Sequence, residues 1–168
     1  LYFLFLPPGW WFCPVCLLCF SKDMNVFMSD GSYKTINNIN IGDKIDSGGN
    51  VISTFKIYVG DKKTQMYNYN GTIVTGSHIV YENGSPIRIS ESKIAKKIKY
   101  SDDYIYCLNT EKHLIRDNFG NLFTDFHECD NAKYNLRANY EMIKALNRNN
   151  LFNYSPNNIL HLYQWGLS

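Results

Sequence analysis

The sequence predicts an all-β domain of many short strands over residues 22–125. Three observations lead to this fold class. Short runs rich in Ile, Val, Tyr and Phe alternate with turn dipeptides such as Asp30-Gly31 and Asn70-Gly71, which favour tight hairpin turns. These turn signals recur at short intervals. In addition, no long stretch of this region keeps the apolar period of a helix.

The expected strands follow one another along the chain, and each is bounded by turn residues. The turns lie at Asp30-Gly31, Gly42-Asp43, 47–50, Asn70-Gly71 and 82–86, where Gly, Asn, Asp, Ser and Pro accumulate. The predicted strand runs between and beyond these turns are 25–28, 33–41, 51–59, 66–69, 72–80, 104–108, 113–115 and 122–123.

The C-terminal tail has a different pattern. Its apolar residues Leu136, Tyr140, Ile143 and Leu146 are spaced by four, three and three residues, which is helical spacing. We therefore expect three regions, which are an apolar flank over 1–18, a β domain over 19–130 and a tail over 131–168. In the tail, a helix over 131–148 lies outside the β domain, and 149–168 form a linker.

The composition limits which classes of partner and which cellular location we expect for this protein. The chain has 168 residues and a net charge of +2, and its basic residues are scattered, so we expect no nucleic-acid partner. Five cysteines form an odd count with three of them crowded together, unlike the disulfide framework of a small secreted domain. A reducing, intracellular location is the better interpretation.

The N-terminal flank is strongly apolar. No charged residue occurs in 1–21, and Trp10 and Trp11 are typical of a membrane–water interface. However, the run Pro7-Pro8-Gly9 interrupts the flank, and neither half reaches the ~20 apolar residues that a membrane span needs. No basic region precedes it, so it does not resemble a signal peptide. Membrane association through 1–18 stays an open alternative.

The thiol of Cys19 is a candidate nucleophile for the peptide bond between Leu18 and Cys19. Attack on the Leu18 carbonyl passes through a five-membered ring and gives a thioester, so the reacting groups are held together covalently. His78 titrates near neutrality and can protonate the departing nitrogen, and Thr75 can hydrogen-bond to the same peptide. The alternative is that Cys19 is a buried apolar residue or part of a cysteine cluster, and that His78 ends a polar strand.

The chain from Cys19 onward resembles the Hint family, the fold shared by inteins, hedgehog C-terminal domains and related autoprocessing modules. The first family block is Cys with a hydrophobic residue, an Asp-x-x-Val-like stretch, Asp-Gly, two Ile and Gly-Asp. It is matched by Cys19, Phe20, Asp23, Val26, Asp30, Gly31, Ile36, Ile39, Gly42 and Asp43. The second block, Thr-x-x-His, is matched by Thr75 and His78, and the third resembles 105–113. The resemblance covers roughly residues 19–128.

This resemblance implies a compact, pseudo-symmetric all-β fold that brings Cys19 beside Thr75 and His78. It also implies cleavage by an N-to-S acyl shift, in a single turnover, with no metal and no organic cofactor. Only residues 79–104 separate His78 from the third block, which is too short for the homing endonuclease that many inteins carry. The chain would be a minimal, endonuclease-free member.

Two positions depart from the family pattern. Many members have Asp where this chain has Cys107, whose thiol or thiolate is a candidate proton acceptor; the alternative is a packing residue. Splicing inteins end in His-Asn, where this chain has Thr124-Asp125. A carboxylate cyclises much less readily than Asn, so two-ended splicing is not expected. The candidates for the C-terminal block are His113, Asp125 and His127.

The sequence therefore predicts self-cleavage at the Leu18–Cys19 bond. The substrate is the upstream polypeptide of the chain itself, and water or a small thiol or amine accepts the acyl group. Two alternatives remain open. One is a catalytically inactive Hint fold with a structural role. The other is a zinc or redox module built on Cys13, Cys16 and Cys19, together with Cys107 or Cys129.

Overall fold

The computed structural model describes residues 18–59, 65–126 and 158–161. The described chain is all-β, which confirms the predicted fold class. Its only helical segments within these ranges are two three-residue 3₁₀ turns, Ile36–Asn38 and Ile89–Glu91. The strands, numbered in chain order, are β1 (Asn25–Phe27), β2 (Tyr33–Thr35), β3 (Lys44–Ile45), β4 (Gly49–Tyr58), β5 (Met66–Tyr69), β6 (Thr72–Thr75), β7 (Ile79–Glu82), β8 (Ser85–Arg88), β9 (Lys96–Ile98), β10 (Tyr104–Thr110), β11 (Leu114–Arg116), β12 (Leu122–Thr124) and β13 (Asn158–His161).

Hairpins form at the turn dipeptides that the sequence marks. β1 pairs with β2 across Asp30-Gly31, and β5 pairs with β6 across Asn70-Gly71. Asn70 and Gly71 both have positive φ angles, 45° and 96°, as a two-residue type I′ turn requires. Asn83 and Gly84, between β7 and β8, repeat this with φ angles of 51° and 79°.

The predicted run 33–41 is not one continuous strand. After β2 the chain enters the 3₁₀ turn Ile36–Asn38, and Ile36 and Ile39 are both buried. Residues three apart point to opposite faces of a strand but to the same side of a 3₁₀ turn. The turn therefore lets both isoleucines enter the core, which a continued strand would not allow.

Three further differences concern strands. The run 72–80 splits into β6 and β7 because the chain turns at Gly76-Ser77. The strands β3, β8 and β9 were not predicted, since they are short and carry Lys or Pro. The tail residues Asn158–His161 were expected to lie in a linker, but they form β13. This strand runs parallel to β4 and pairs with the backbone groups along one edge of it. The predicted helix over 131–148 lies outside the described residues.

One succession of elements occurs twice along the chain. A hairpin, a 3₁₀ turn, a short strand, a long strand and a second hairpin follow one another from β1 to β6. The same order recurs from β7 to β12. The two long strands, β4 and β10, pair antiparallel along most of their lengths. The chain therefore contains two halves that repeat the same order of elements.

A short segment before β1 joins two groups of strands. Phe20 bridges to Val74 of β6 on one side and to Tyr106 of β10 on the other. It thereby connects the group β9–β5–β6 to the group β10–β4–β13. The segment 19–21 is consequently an interior strand of the combined sheet.

Aromatic side chains pack around this interior strand. Phe20, Phe123 and Phe126 are fully buried, and the ring centroids of Phe20 and Phe123 lie 5.0 Å apart in an edge-to-face arrangement. The ring of Phe126 stacks on Phe55 of β4 at 4.7 Å. The end of the described domain, at β12 and Phe126, is thereby packed against its beginning.

Within the described ranges, no helix is long and apolar enough to cross a membrane.

A buried aspartate organises the turn between β11 and β12. Asp117 is 2% exposed and accepts hydrogen bonds from the backbone N–H groups of Phe119 and Asn121, at 2.9 and 2.8 Å. It also accepts from Asn121 Nδ2 at 2.7 Å and from the hydroxyl of Thr72 in β6 at 2.6 Å. One carboxylate therefore ties the β11–β12 turn to β6.

Replacement of this carboxylate should destabilise the domain strongly. We expect Asp117→Ala to lower the free energy of unfolding by about 3 kcal/mol or more, because it leaves buried donors without an acceptor. Urea unfolding measures the loss. The control is Asp103→Ala at an exposed position, which should stay within about 0.5 kcal/mol of the unaltered chain. Equal losses for both variants would contradict this role of Asp117.

Candidate active site

The position of Cys19 is fixed by its neighbours in the sheet. Phe20 N donates to Tyr106 O at 2.7 Å, and Tyr106 N donates back to Phe20 O at 2.8 Å. On the other side, Ser21 N donates to Ile73 O at 3.0 Å. Leu18 and Cys19 are 1% and 0% exposed. The peptide bond between them therefore lies inside the domain, held from both sides.

Thr75 changes the hydrogen-bond ladder at this peptide bond. Thr75 N donates to Cys19 O at 2.9 Å, as in an ordinary antiparallel pair. The return bond differs, because Cys19 N donates to the side-chain Oγ1 of Thr75 at 3.1 Å. The carbonyl of Thr75 is directed to the N–H of His78 instead, at 3.1 Å. A hydroxyl therefore replaces a backbone carbonyl at the N–H of the Leu18–Cys19 bond.

His78 follows this turn and is completely buried. Its Nε2 lies 2.6 Å from the carbonyl oxygen of Thr124, and a carbonyl can only accept, so Nε2 carries the hydrogen. Its Nδ1 has no hydrogen-bond partner among the described residues. The ring packs on Phe20 with centroids 4.3 Å apart. A neutral ring with a free lone pair on Nδ1 thus lies next to the residue that follows Cys19.

Burial controls the protonation of His78. Desolvation lowers the pKa of His78 from 6.5 to about 4, although the hydrogen bond to Thr124 acts in the opposite direction. At neutral pH the imidazole is therefore uncharged. The neutral ring has no proton on Nδ1 to give away. It must first accept a proton there from another group in the site, and only then can it deliver that proton.

The lowered pKa of His78 predicts how stability depends on pH. In the unfolded chain the imidazole titrates near 6.5, so between that value and about 4 the unfolded state binds more protons than the folded state. Stability is fully present above pH 6.5 and falls as the pH drops towards 4, by up to about 3 kcal/mol. Urea unfolding across this range measures the loss. In His78→Gln the loss should shrink, and an unchanged pH dependence would contradict the prediction.

Cys107 of β10 lies opposite Cys19 and is 1% exposed. Burial raises the pKa of the Cys107 thiol well above its usual value, and a hydrogen bond with the Cys19 thiol and the nearby charge of Asp125 raise this pKa further. The thiolate that sequence reasoning offered as a proton acceptor is thus disfavoured. Cys107 enters the site as a neutral thiol.

Two of the candidate residues of the C-terminal block meet each other. Asp125 is 0% exposed and its Oδ2 accepts from Thr110 N at 2.8 Å and from His113 Nδ1 at 3.1 Å. Asp125 N donates to His113 O at 3.1 Å, and His113 has a left-handed backbone with a φ angle of 58°. The structure therefore forms a His113–Asp125 pair at the end of β12. His127 lies outside the described residues.

The predicted site residues fall into two connected groups. In the first group, Thr75 binds the Cys19 N–H, His78 packs on the adjacent Phe20, and Cys107 lies opposite Cys19. In the second group, His113 pairs with Asp125, whose charge acts on Cys107. Sequence reasoning missed one member, the carbonyl of Thr124 that orients His78. No side-chain motif signals a backbone carbonyl, so only the folded position of β12 reveals it.

The alternative metal site cannot be assembled from the described residues. Cys13, Cys16 and Cys129 lie outside them, and within them no group of three or more His, Cys, Asp or Glu side chains could hold a metal ion. The described cysteines, Cys19 and Cys107, are free thiols.

No protein-family model matches this chain, and no curated protein matches it.

Proposed function

We propose that this chain is a minimal Hint-type module that cleaves its own Leu18–Cys19 peptide bond through an N-to-S acyl shift. One observation carries the proposal. The N–H of this peptide bond is bound by the hydroxyl of Thr75, and the same turn places a neutral histidine with a free Nδ1 against the neighbouring Phe20. A polar constellation of this kind, buried around one backbone amide, suits catalysis at that amide.

The proposed step transfers an acyl group within one residue. The Cys19 thiol gives its proton to Nδ1 of His78, and its sulfur attacks the Leu18 carbonyl carbon. The tetrahedral intermediate then collapses as His78 returns the proton to the Cys19 nitrogen and the C–N bond breaks. The products are a thioester between Leu18 and the Cys19 sulfur, and a free Cys19 amine. Thr75 holds the nitrogen in place throughout this exchange.

The environment of Cys107 fits a donor role in this step. A neutral thiol beside Cys19 can donate a hydrogen bond to the negative oxygen or sulfur that develops during attack. The raised pKa of Cys107 favours this role over proton abstraction. Cys107 would then replace the family Asp as a hydrogen-bond donor, with proton acceptance left to His78.

The thioester is then resolved by an acceptor, which ends the single turnover. Water, a small thiol or an amine attacks the Leu18 carbonyl and releases the upstream polypeptide, which is the substrate. A reducing, intracellular location would keep Cys19 available as a thiol. Association of residues 1–18 with a membrane would place the released segment at its surface.

Two features support a one-ended Hint module. The repeated order of elements from β1 to β6 and from β7 to β12 is what a pseudo-symmetric fold requires. At the other end, Asp125 stands where a splicing intein has Asn, and its Oδ2 is occupied by two donors. A carboxylate held in this way is a poor cyclising group. Cleavage at the upstream junction alone is the proposal.

A catalytically inactive Hint fold with a structural role is the second candidate. It is favoured by Cys107, because a thiol with a raised pKa at this position is a weaker acid–base group than the Asp of the family. The two candidates differ in one measurable property, which is whether the upstream segment leaves the chain.

The test uses the chain with a tag placed before Leu1. After expression and incubation with a small thiol, intact-mass analysis should give an upstream fragment ending at Leu18 and a downstream fragment beginning with Cys19. When the small thiol is replaced by a reagent that carries a thiol next to a free amine, this reagent should become attached to Leu18 of the upstream fragment. A folded chain of unchanged mass after prolonged incubation with thiol would exclude self-cleavage and leave the structural role.

The hydroxyl of Thr75 should be needed for cleavage. In Thr75→Val the side chain keeps its shape but loses the acceptor for the Cys19 N–H, which should cost about 1–3 kcal/mol and slow cleavage by roughly tenfold or more. Thr75→Ser retains the hydroxyl and is the matched variant. The rate of precursor loss under thiol measures both. Val and Ser variants of equal rate would remove Thr75 from the mechanism.

A further inference from the structure

Cys19 and Cys107 occupy directly opposed positions on neighbouring antiparallel strands. Phe20 and Tyr106 exchange both of their backbone hydrogen bonds, at 2.7 and 2.8 Å, so they form a hydrogen-bonded pair. The next pair along the two strands is Cys19 with Cys107, and it must be a non-hydrogen-bonded pair. Such pairs have Cα atoms about 4.5 Å apart, with the two side chains on the same face.

This geometry is suitable for a disulfide. Disulfides join Cα atoms that lie roughly 4.4–6.8 Å apart, and the non-hydrogen-bonded pair falls within that range. The two thiols are close enough for Cys19 to raise the pKa of Cys107, and both are free. Their side chains are 0% and 1% exposed, so little movement and no loss of burial would accompany the bond.

We propose that Cys19 and Cys107 form a reversible cross-strand disulfide. The bond uses the sulfur that attacks Leu18, so the oxidised chain cannot start the acyl shift. That consequence rests on the proposed function, whereas the modification site itself rests on the register of the two strands alone. An oxidising environment would then store the precursor intact, and reduction would release its activity.

The oxidant is a small-molecule disulfide such as oxidised glutathione. One cysteine, as the thiolate, attacks the oxidant to form a mixed disulfide and releases one glutathione thiol. The second cysteine then displaces the other glutathione, so that two protein thiols and one oxidised glutathione give one protein disulfide and two reduced glutathiones. Because both sulfurs are buried, exchange takes place while segment 19–21 is not yet inserted between β6 and β10.

The test uses the full chain with Cys13, Cys16 and Cys129 replaced by Ser, which leaves only the proposed pair. The chain is unfolded, refolded with reduced and oxidised glutathione, and analysed as an intact mass. We expect the loss of two hydrogen atoms, restored by a phosphine reductant. The same background with Cys107→Ser should show a free thiol or a glutathione adduct and no internal disulfide. A peptide map of the unaltered chain without reductant provides the same readout independently of these substitutions.

Cleavage gives the second readout. The oxidised chain should keep its upstream tag, and added reductant should start cleavage. After oxidative refolding, the chain can be unfolded and treated with an alkylating reagent. Alkylation of both Cys19 and Cys107 would show two free thiols and would overturn the proposed site, even if the reduced chain cleaves. A disulfide in a chain that does not cleave after reduction would support the site, and in that case the proposed self-cleavage fails.

Discussion

A chain carrying Cys19→Ala should keep its upstream segment, with cleavage at the Leu18–Cys19 bond reduced at least about a thousandfold. The reason is structural as well as chemical. The bond lies between residues that are 1% and 0% exposed, and an amide resists attack by water far more than a thioester does, so water is a poor replacement for the Cys19 sulfur in the first step. Intact-mass analysis of the tagged chain over time, with added thiol, measures the remaining rate.

The control for this variant is Cys13→Ala, which removes a thiol from the same cysteine-rich stretch that the proposed step does not use. It should cleave at the rate of the unaltered chain. Circular dichroism and thermal unfolding should show that both variants are folded, since Ala fills most of the space of a buried Cys. Cleavage of Cys19→Ala at the normal position and rate would show that another group attacks Leu18.

His78→Gln should slow cleavage by about 10²–10⁴-fold, the usual contribution of a group that accepts and returns a proton. Gln can still donate to the carbonyl of Thr124, the bond that Nε2 makes at 2.6 Å, so the loss would reflect proton transfer and not the loss of this contact. The measurement is the rate of thioester formation, followed by capture with a large excess of thiol.

His113→Gln is the matched comparison, because His113 is another histidine of the domain, pairs with Asp125 and has no part in the proposed proton transfer. We expect a much smaller effect on cleavage. If His113→Gln proved as damaging as His78→Gln, the proton would have to travel by the His113–Asp125 pair, and the role given to Nδ1 of His78 would be wrong.

The fold class could be predicted because its signals are local. Asn70-Gly71 and Asp30-Gly31 mark hairpins by their backbone preferences, whatever surrounds them. The short strands β3 and β9 carry no such signal, since their Lys-rich sequences become strands only when β4 and β5 offer partners. The 3₁₀ turn at Ile36 depends on which side faces the core, and that too is decided by the tertiary structure.

The side chains of the candidate site could be proposed from the sequence, but the backbone contacts around them could not. Cys19, Thr75 and His78 stand out as reactive residue types in a recognisable order. The contacts that give them their properties come from elsewhere in the chain. The Thr124 carbonyl fixes the tautomer of His78, and complete burial sets its pKa, and neither can be read from local sequence.

The interior position of segment 19–21 has a consequence for timing during synthesis. Its two neighbours, Val74 and Tyr106, leave the ribosome long after Cys19 does, and Thr124, which orients His78, follows later still. A nascent chain that ends before β12 holds the nucleophile but lacks the complete set of groups around it. Under the proposed mechanism, the order of translation therefore delays cleavage, and any upstream polypeptide has this interval to fold before its connection to the domain is cut.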